Sequence, residues 1–347
     1  MKTRIRLSAA ITVSGLVLLA ACGGGGSDAK GGDDLKGQSL VFTNYGGESL
    51  KAAQKGWLDP YSKKTGVKFA TDSPTDPAKI KAMVDSGRTT WDLVDSDIAV
   101  GQSNCGKLFE KRPADFDMSQ IDPKYVTDDC GVPIIGQAVA LVYNKKLYGD
   151  NPPTATTDYM DTKKFPGKRI FWNYPTGTVE PLLMADGVEP DAMYPLDWDR
   201  VGSIFDKLGK DAVPVPQLAG LGQAMESGDF GMCLCYLGRV KGAIENGADV
   251  GIVWDKTYVA WDGLYAVKGS KSPKAQMDFL QYIATTKGQA GFSNYLPYGL
   301  TTTGDAPVKE DAKPYLPSFN EDKINEMYTY DVDYWGKNIE ADTEKWN

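Results

Sequence analysis

The chain has 347 residues, with 38 Lys and Arg against 46 Asp and Glu, a net charge of −8 and no histidine. The missing histidine excludes Ser-His-Asp and Cys-His catalysis, His-ligated zinc or copper and histidine-based pH switching. The acid surplus argues against a nucleic-acid partner, whereas 41% hydrophobic residues are enough for a large core, which at this length implies two lobes.

Lys2, Arg4 and Arg6 precede an apolar run from Leu7 to Ala21, which predicts an export signal over residues 1–21. That run is shorter than the ~20 residues a membrane span needs. Leu19-Ala20-Ala21-Cys22 resembles the lipobox of bacterial lipoproteins. The resemblance implies cleavage before Cys22, acylation of Cys22 and a lipid anchor at the outer face of the cell membrane. The alternative is an ordinary export signal with an incidental cysteine. The Gly-rich stretch that follows predicts a flexible tether over 22–36.

Along the rest of the chain, strands and helices alternate. A strand is expected over 39–43, then a helix over 48–64 with Leu50, Ala53, Trp57, Leu58 and Tyr61 on one face and a kink at Pro60. A strand follows over 67–70, then a helix over 77–84 with Asp76 as N-cap and Pro77 at its first position. Further strands are expected over 91–95, 138–143, 168–173, 229–237 and 262–267. Helices are expected from 179, over 195–210, around 243–246, over 272–286 and, as an amphipathic tail, from 321. This pattern predicts an α/β fold with mostly parallel sheets.

Apart from Cys22, the cysteines are Cys105, Cys130, Cys233 and Cys235, which allow three pairings in an oxidising compartment. Cys233 and Cys235 lie two apart in a strand, where a direct bond is strained. The expectation is therefore a Cys105–Cys130 disulfide, with Cys233 and Cys235 as buried thiols. Several motifs fail on inspection. Asp229-Phe230-Gly231 lacks the other kinase motifs, and Gly220-Leu221-Gly222 lacks the third glycine of a dinucleotide site. Asp331-x-Asp333-x-x-Gly336 starts like a calcium loop but lacks its oxygen ligands at Trp335 and beyond. No metal or cofactor is expected.

In open α/β sheets ligands bind at the carboxyl ends of strands. Those ends here carry Asn44-Tyr45-Gly46-Gly47-Glu48, Asp95-Ser96-Asp97, Trp172-Asn173-Tyr174 with Glu180 beyond, Tyr236 with Arg239, Trp261-Asp262, and Tyr295-Leu296-Pro297-Tyr298. Aromatic faces beside carboxylates suit a desolvated ammonium group. The alternative is that the aromatics fill a core and the acids coat the surface.

Phe42-Thr43-Asn44-Tyr45-Gly46-Gly47, Thr65-Gly66-Val67, Trp91-Asp92-Leu93-Val94, Leu141-Val142-Tyr143-Asn144, Ala185-Asp186-Gly187-Val188, Leu237-Gly238-Arg239 and Tyr298-Gly299 occur in this order. Together they resemble the substrate-binding components of ABC importers, specifically the spermidine/putrescine-type binding proteins. The resemblance implies a two-lobed periplasmic-binding-protein-like fold (type II) with a hinge cleft. Lobe one would be 37–138 plus 264–347, and lobe two 139–263. It implies a monomer that is not an enzyme and that passes a small amine to an ABC permease. Ligand residues carried over are Tyr45, Asp97, Glu180, Tyr236 and Asp262, with Gly46, Trp261 and Tyr298 at the same strand ends. One departure is Ala260, where polyamine binders commonly have Trp; Trp261 stands one residue later. Arg239 opens a second reading, because a guanidinium repels a polycation but with Asp262 would clamp a zwitterion such as γ-aminobutyrate. An enzyme or an adhesion module on the same fold is the alternative from another class.

Overall fold

A computed structural model describes residues 35–304 and 308–347. The expected signal peptide, Cys22 and the tether up to residue 34 lie outside the described residues. The strands are β1 (Ser39–Thr43), β2 (Lys68–Asp72), β3 (Leu93–Asp97), β4 (Val132–Asn144), β5 (Arg169–Trp172), β6 (Ala212–Val215), β7 (Met232–Tyr236), β8 (Val250–Ala266) and β9 (Glu326–Thr329). They form one sheet in the order β2-β1-β3-β8-β4-β7-β5-β6, with β9 beside β8.

The flanks are parallel, as the alternating pattern predicts: β1 pairs β2 and β3, and β5 pairs β6 and β7. The centre is antiparallel, where β4 and β8 pair with each other over most of their length, so the sheet is mixed rather than uniformly parallel. β8 joins the β3 flank through Asp262 to Ala266, and β4 joins the β7 flank through Val139 to Tyr143. The central register shifts between Ile134 and Gly136, and Ile135 there has φ 54°. A β-branched residue in the left-handed region is strained, so strain sits where the central strands change partners.

Two apolar clusters flank this centre. One gathers Leu40, Phe42, Trp57, Tyr61, Phe279 and Phe292. The other gathers Ile170, Leu182, Leu183, Val201, Leu234, Val240 and Trp335. The apolar stripe at Ala53, Trp57, Leu58 and Tyr61 is buried, as its spacing predicts. Pro60 has no N–H to donate, and the helix N-terminal to it widens to a π-turn over Gln54–Leu58. Asp76 caps the helix Pro77–Asp85 by accepting from the backbone N–H of Ala78 and Lys79.

Two expectations are corrected. The tail is not helical from 321: β9 pairs parallel with β8, Tyr258 opposite Tyr328, and the helix Val332–Trp346 starts only at its Asp331 cap. Gly336 lies inside that helix, so no calcium loop forms. Cys105–Cys130 is a disulfide as expected, but Cys233 and Cys235 are bonded to each other rather than free. Alternation puts both on one face of β7, and their Cα atoms stand 5.3 Å apart, within the ordinary disulfide range of about 4.4–6.8 Å.

Candidate functional site

Chamber residues come from both flanks of the sheet. From the β1–β3 flank come Tyr45 and Asp97, and from the β5–β7 flank come Trp172, Thr176, Gly177 and Tyr236. Gln137 and Asp262 come from the central strands, and Tyr330 from the tail. These groups line an inner chamber of about 30 Å³. Tyr45, Asp97, Trp172 and Leu218 also border an outer chamber of about 300 Å³, which includes Gly46, Gly47, Ser96 and Gln217.

The acids are the distinctive feature. In the antiparallel β3–β8 pair Asp97 stands opposite Asp262 and Asp95 opposite Leu264. Alternation therefore turns Asp95, Asp97 and Asp262 to one face of the sheet. All three carboxyls are raised above the ordinary carboxylate range, first of all by burial. The neighbouring acids Asp95 and Asp97 raise Asp262 further. Asp97 is held differently from the other two. It caps the helix Ile98–Asn104, with Oδ1 accepting from Ala99 N–H at 2.8 Å, Val100 N–H at 3.3 Å and Tyr330 O–H at 2.8 Å. Those donors favour its charged form. Asp262 accepts from Gln137 Nε2.

Arg239, on the helix Leu237–Glu245, brings positive charge to the same cluster and lowers Asp95. It is 5% exposed, and its Nε has no hydrogen-bond partner. Its Nη1 would lie 3.4 Å from a Cβ at Gly47, so glycine there leaves space between the outer chamber and the guanidinium. Tyr298 packs on Phe292 and bonds Arg239. It lines neither chamber.

Most of the residues carried over from the family converge here. Tyr45 accepts a 2.9 Å bond from Asp97 N–H and meets Trp172 edge-on at 6.4 Å. Gly46 has φ 76°, a conformation glycine adopts without strain. Tyr236 and Trp261 both line the inner chamber, and the buried Trp261 Nε1 has no partner. Glu180 stands apart and lines neither chamber. Its Oε1 accepts from Trp335 Nε1 at 2.6 Å, Tyr194 O–H at 2.7 Å and Tyr258 O–H at 3.1 Å. That carboxylate ties the C-terminal helix to β8 and to the helix Val179–Ala185.

Three residues escaped the sequence-based choice. Gln137 lies just before the strand expected over 138–143 and Asp95 at a strand end, but neither belongs to the set carried over by the resemblance. Tyr330 carries no local signal, since its partner Asp97 is 233 positions away.

The sequence profile of the bacterial extracellular solute-binding proteins matches residues 56–318. The chain belongs to that family. This solute-binding protein is 26% identical over 325 residues to a γ-aminobutyric acid-binding protein of Pseudomonas aeruginosa, covering 89% of this chain and 91% of the relative. A solved γ-aminobutyric acid receptor is 29% identical with a TM-score of 0.75, over 89% of this chain and 96% of the receptor. A spermidine/putrescine-binding protein from Streptococcus pneumoniae shares 14% identity and a TM-score of 0.62 over 89% of this chain and all of that one, which shows a common fold alone. The fold is thus the two-lobed α/β periplasmic-binding-protein-like one, and the protein binds a solute rather than acting as an enzyme. Among the described residues no helix is long and apolar enough to cross a membrane.

Proposed function

We propose that this solute-binding protein captures a zwitterionic ω-amino acid such as γ-aminobutyrate and passes it to an ABC permease. The observation that carries this reading is Arg239, a buried guanidinium with a free Nε that interacts with the buried Asp95, which shares its face of the sheet with Asp97 and Asp262. A site holding both signs of buried charge suits a ligand that does the same. The ligand ammonium lies against Asp262 and the faces of Tyr45, Tyr236 and Trp261. Its carboxylate meets Arg239 beside Gly47. Two relatives above 25% identity are named for γ-aminobutyric acid, which supports the same choice, while two solved relatives at 26% identity hold agropinic acid and glucopine, which also carry carboxylates. The polyamine reading is the weaker one, because it sets a second cation against Arg239.

Contacts from both flanks of the sheet let the ligand favour the closed arrangement by its differential affinity. Bending falls at the strained junction around Ile135, with lobe one at 37–138 plus 264–347 and lobe two at 139–263. Acylated Cys22 holds the monomer near its permease and raises the effective concentration. The test is a melting screen with γ-aminobutyrate, putrescine, spermidine, glutamate and a sugar. A ligand at ~100 times its Kd adds about 2.7 kcal/mol. Stabilisation by putrescine or a sugar, with none by γ-aminobutyrate, overturns the proposal.

A further inference from the structure

The ω-amino-acid reading uses Asp262 and Arg239 and leaves Asp95 without a task. Asp95 is fully buried, yet neither of its carboxyl oxygens has a hydrogen-bond donor. Its side chain shares a face of the sheet with the Asp262 carboxyl on the neighbouring strand, and the two carboxyls interact directly. Two carboxylates only accept, so such a contact holds together only when one of them carries a proton.

The surroundings sharpen this. On β3 the pair is faced by Asp97, whose helix N–H donors favour its charged form against its burial. From β4 it is faced by Gln137, a neutral donor to Asp262. Tyr45, Tyr236 and Tyr298 adjoin it as neutral phenols, all held well protonated by burial. Arg239 lowers Asp95 but does not offset its burial.

We propose that Asp95 is a positioning residue that shares one proton with Asp262 in the ligand-free protein, and that an arriving ammonium group displaces this proton. The inference rests on the proposed ω-amino-acid reading for the identity of the ammonium ligand. In the step, the O–H bond of the carboxylic acid breaks and its electron pair stays on the carboxylate. The proton leaves to bulk water, and two carboxylates then face one ammonium. Asp95 thereby sets specificity without touching the ligand. A neutral solute of the same size cannot replace the proton's charge, and an anionic one adds to the repulsion.

Asp95 is pushed up to about 7 and Asp262 is raised well above its ordinary value, so the pair still holds a proton at neutral pH, whereas a free carboxyl and amine titrate at ~4 and ~10. Affinity therefore rises with pH by as much as tenfold per unit for each proton displaced, and less steeply once Asp95 has lost its proton.

The experiment is isothermal calorimetry of γ-aminobutyrate binding in two buffers of different ionisation heat, at about pH 6 and about pH 8.5. The result expected is about one proton more released per ligand at the lower pH than at the higher. Asp95→Asn should bind with that difference removed. Infrared difference spectra of the ligand-free protein across the same range supply a second readout. A protonated-carboxyl band should lose a component as pH rises through about 7, and that component should be absent in Asp95→Asn. No proton release by the wild-type protein at the lower pH overturns the proposal, as does unchanged release in Asp95→Asn. Failure of γ-aminobutyrate to bind at any pH refutes the functional reading instead. The infrared band needs no ligand and still tests the shared proton in that case. Its absence from the ligand-free wild-type protein at the lower pH overturns the shared proton on its own.

Discussion

Replacing Arg239 by Met should weaken binding more than it lowers stability. In the ligand-free protein the guanidinium is 5% exposed and its Nε is unpartnered, so folding has already stripped water from it. Replacing a whole buried ion pair by apolar side chains is often neutral or a gain of about 1–4 kcal/mol, whereas removing one partner alone typically costs about 3–5 kcal/mol. Arg239 lowers Asp95, and without it that carboxyl shifts further toward its neutral form, which limits the loss. The net expectation is a modest fall in the ligand-free melting temperature. Binding should suffer more. A ligand carboxylate loses a desolvated, charge-assisted partner, which typically costs about 2–5 kcal/mol. At about 1.4 kcal/mol per tenfold, γ-aminobutyrate affinity drops by ~30-fold to several thousand-fold. Calorimetric titration and thermal melts of the same preparation read both quantities. A variant that melts much lower while keeping its affinity within about threefold would refute the reasoning, because Arg239 would then be a structural cation.

Glu180→Gln should leave affinity nearly unchanged and lower the melting temperature. Oε1 loses charge while accepting from Trp335, Tyr194 and Tyr258, a loss of about 1–3 kcal/mol; a large fall in affinity would instead return Glu180 to the ligand. Tyr330→Phe removes the hydroxyl that bonds Asp97 and should weaken binding by ~2- to 10-fold without unfolding the protein, as titration will show. Ligand-free stability should fall as pH rises through about 7. Asp95 has a folded value of about 7, above its value in the unfolded chain, so the folded state holds the extra proton at low pH and forfeits that advantage as the proton leaves. At ~1.4 kcal/mol per unit the effect is a few kcal/mol at most, read from denaturant midpoints at matched ionic strength and absent in Asp95→Asn.

The periodic parts of the fold are legible in the sequence because local rules govern them. Ser39–Thr43 matches its expected strand, and the Asp76-Pro77 start is where capping chemistry puts it. Asp262 can be singled out because a strand-end acid beside aromatics is a local pattern. The rest depends on pairing across distance. The central strands are longer than their apolar runs because each is covered by the other, and β9 is a strand only because β8 offers it an edge. Glu180 resembles a ligand residue because an isolated acid beyond a strand end reads that way. Only the arrival of Trp335, 155 positions later, shows that its charge is already engaged. Ideal strand geometry makes thiols of Cys233 and Cys235, whereas this strand brings their Cα atoms to 5.3 Å.

The placement of Tyr330 also bears on timing. A chain made from its N-terminus supplies Tyr45 and Asp97 early, while the tyrosine that bonds Asp97 follows it by 233 residues. The sheet can be largely assembled before β9 and the helix Val332–Trp346 arrive. The cleft is therefore completed only after residue 330 is in place, and a chain cut near residue 320 would lack the hydroxyl that bonds Asp97.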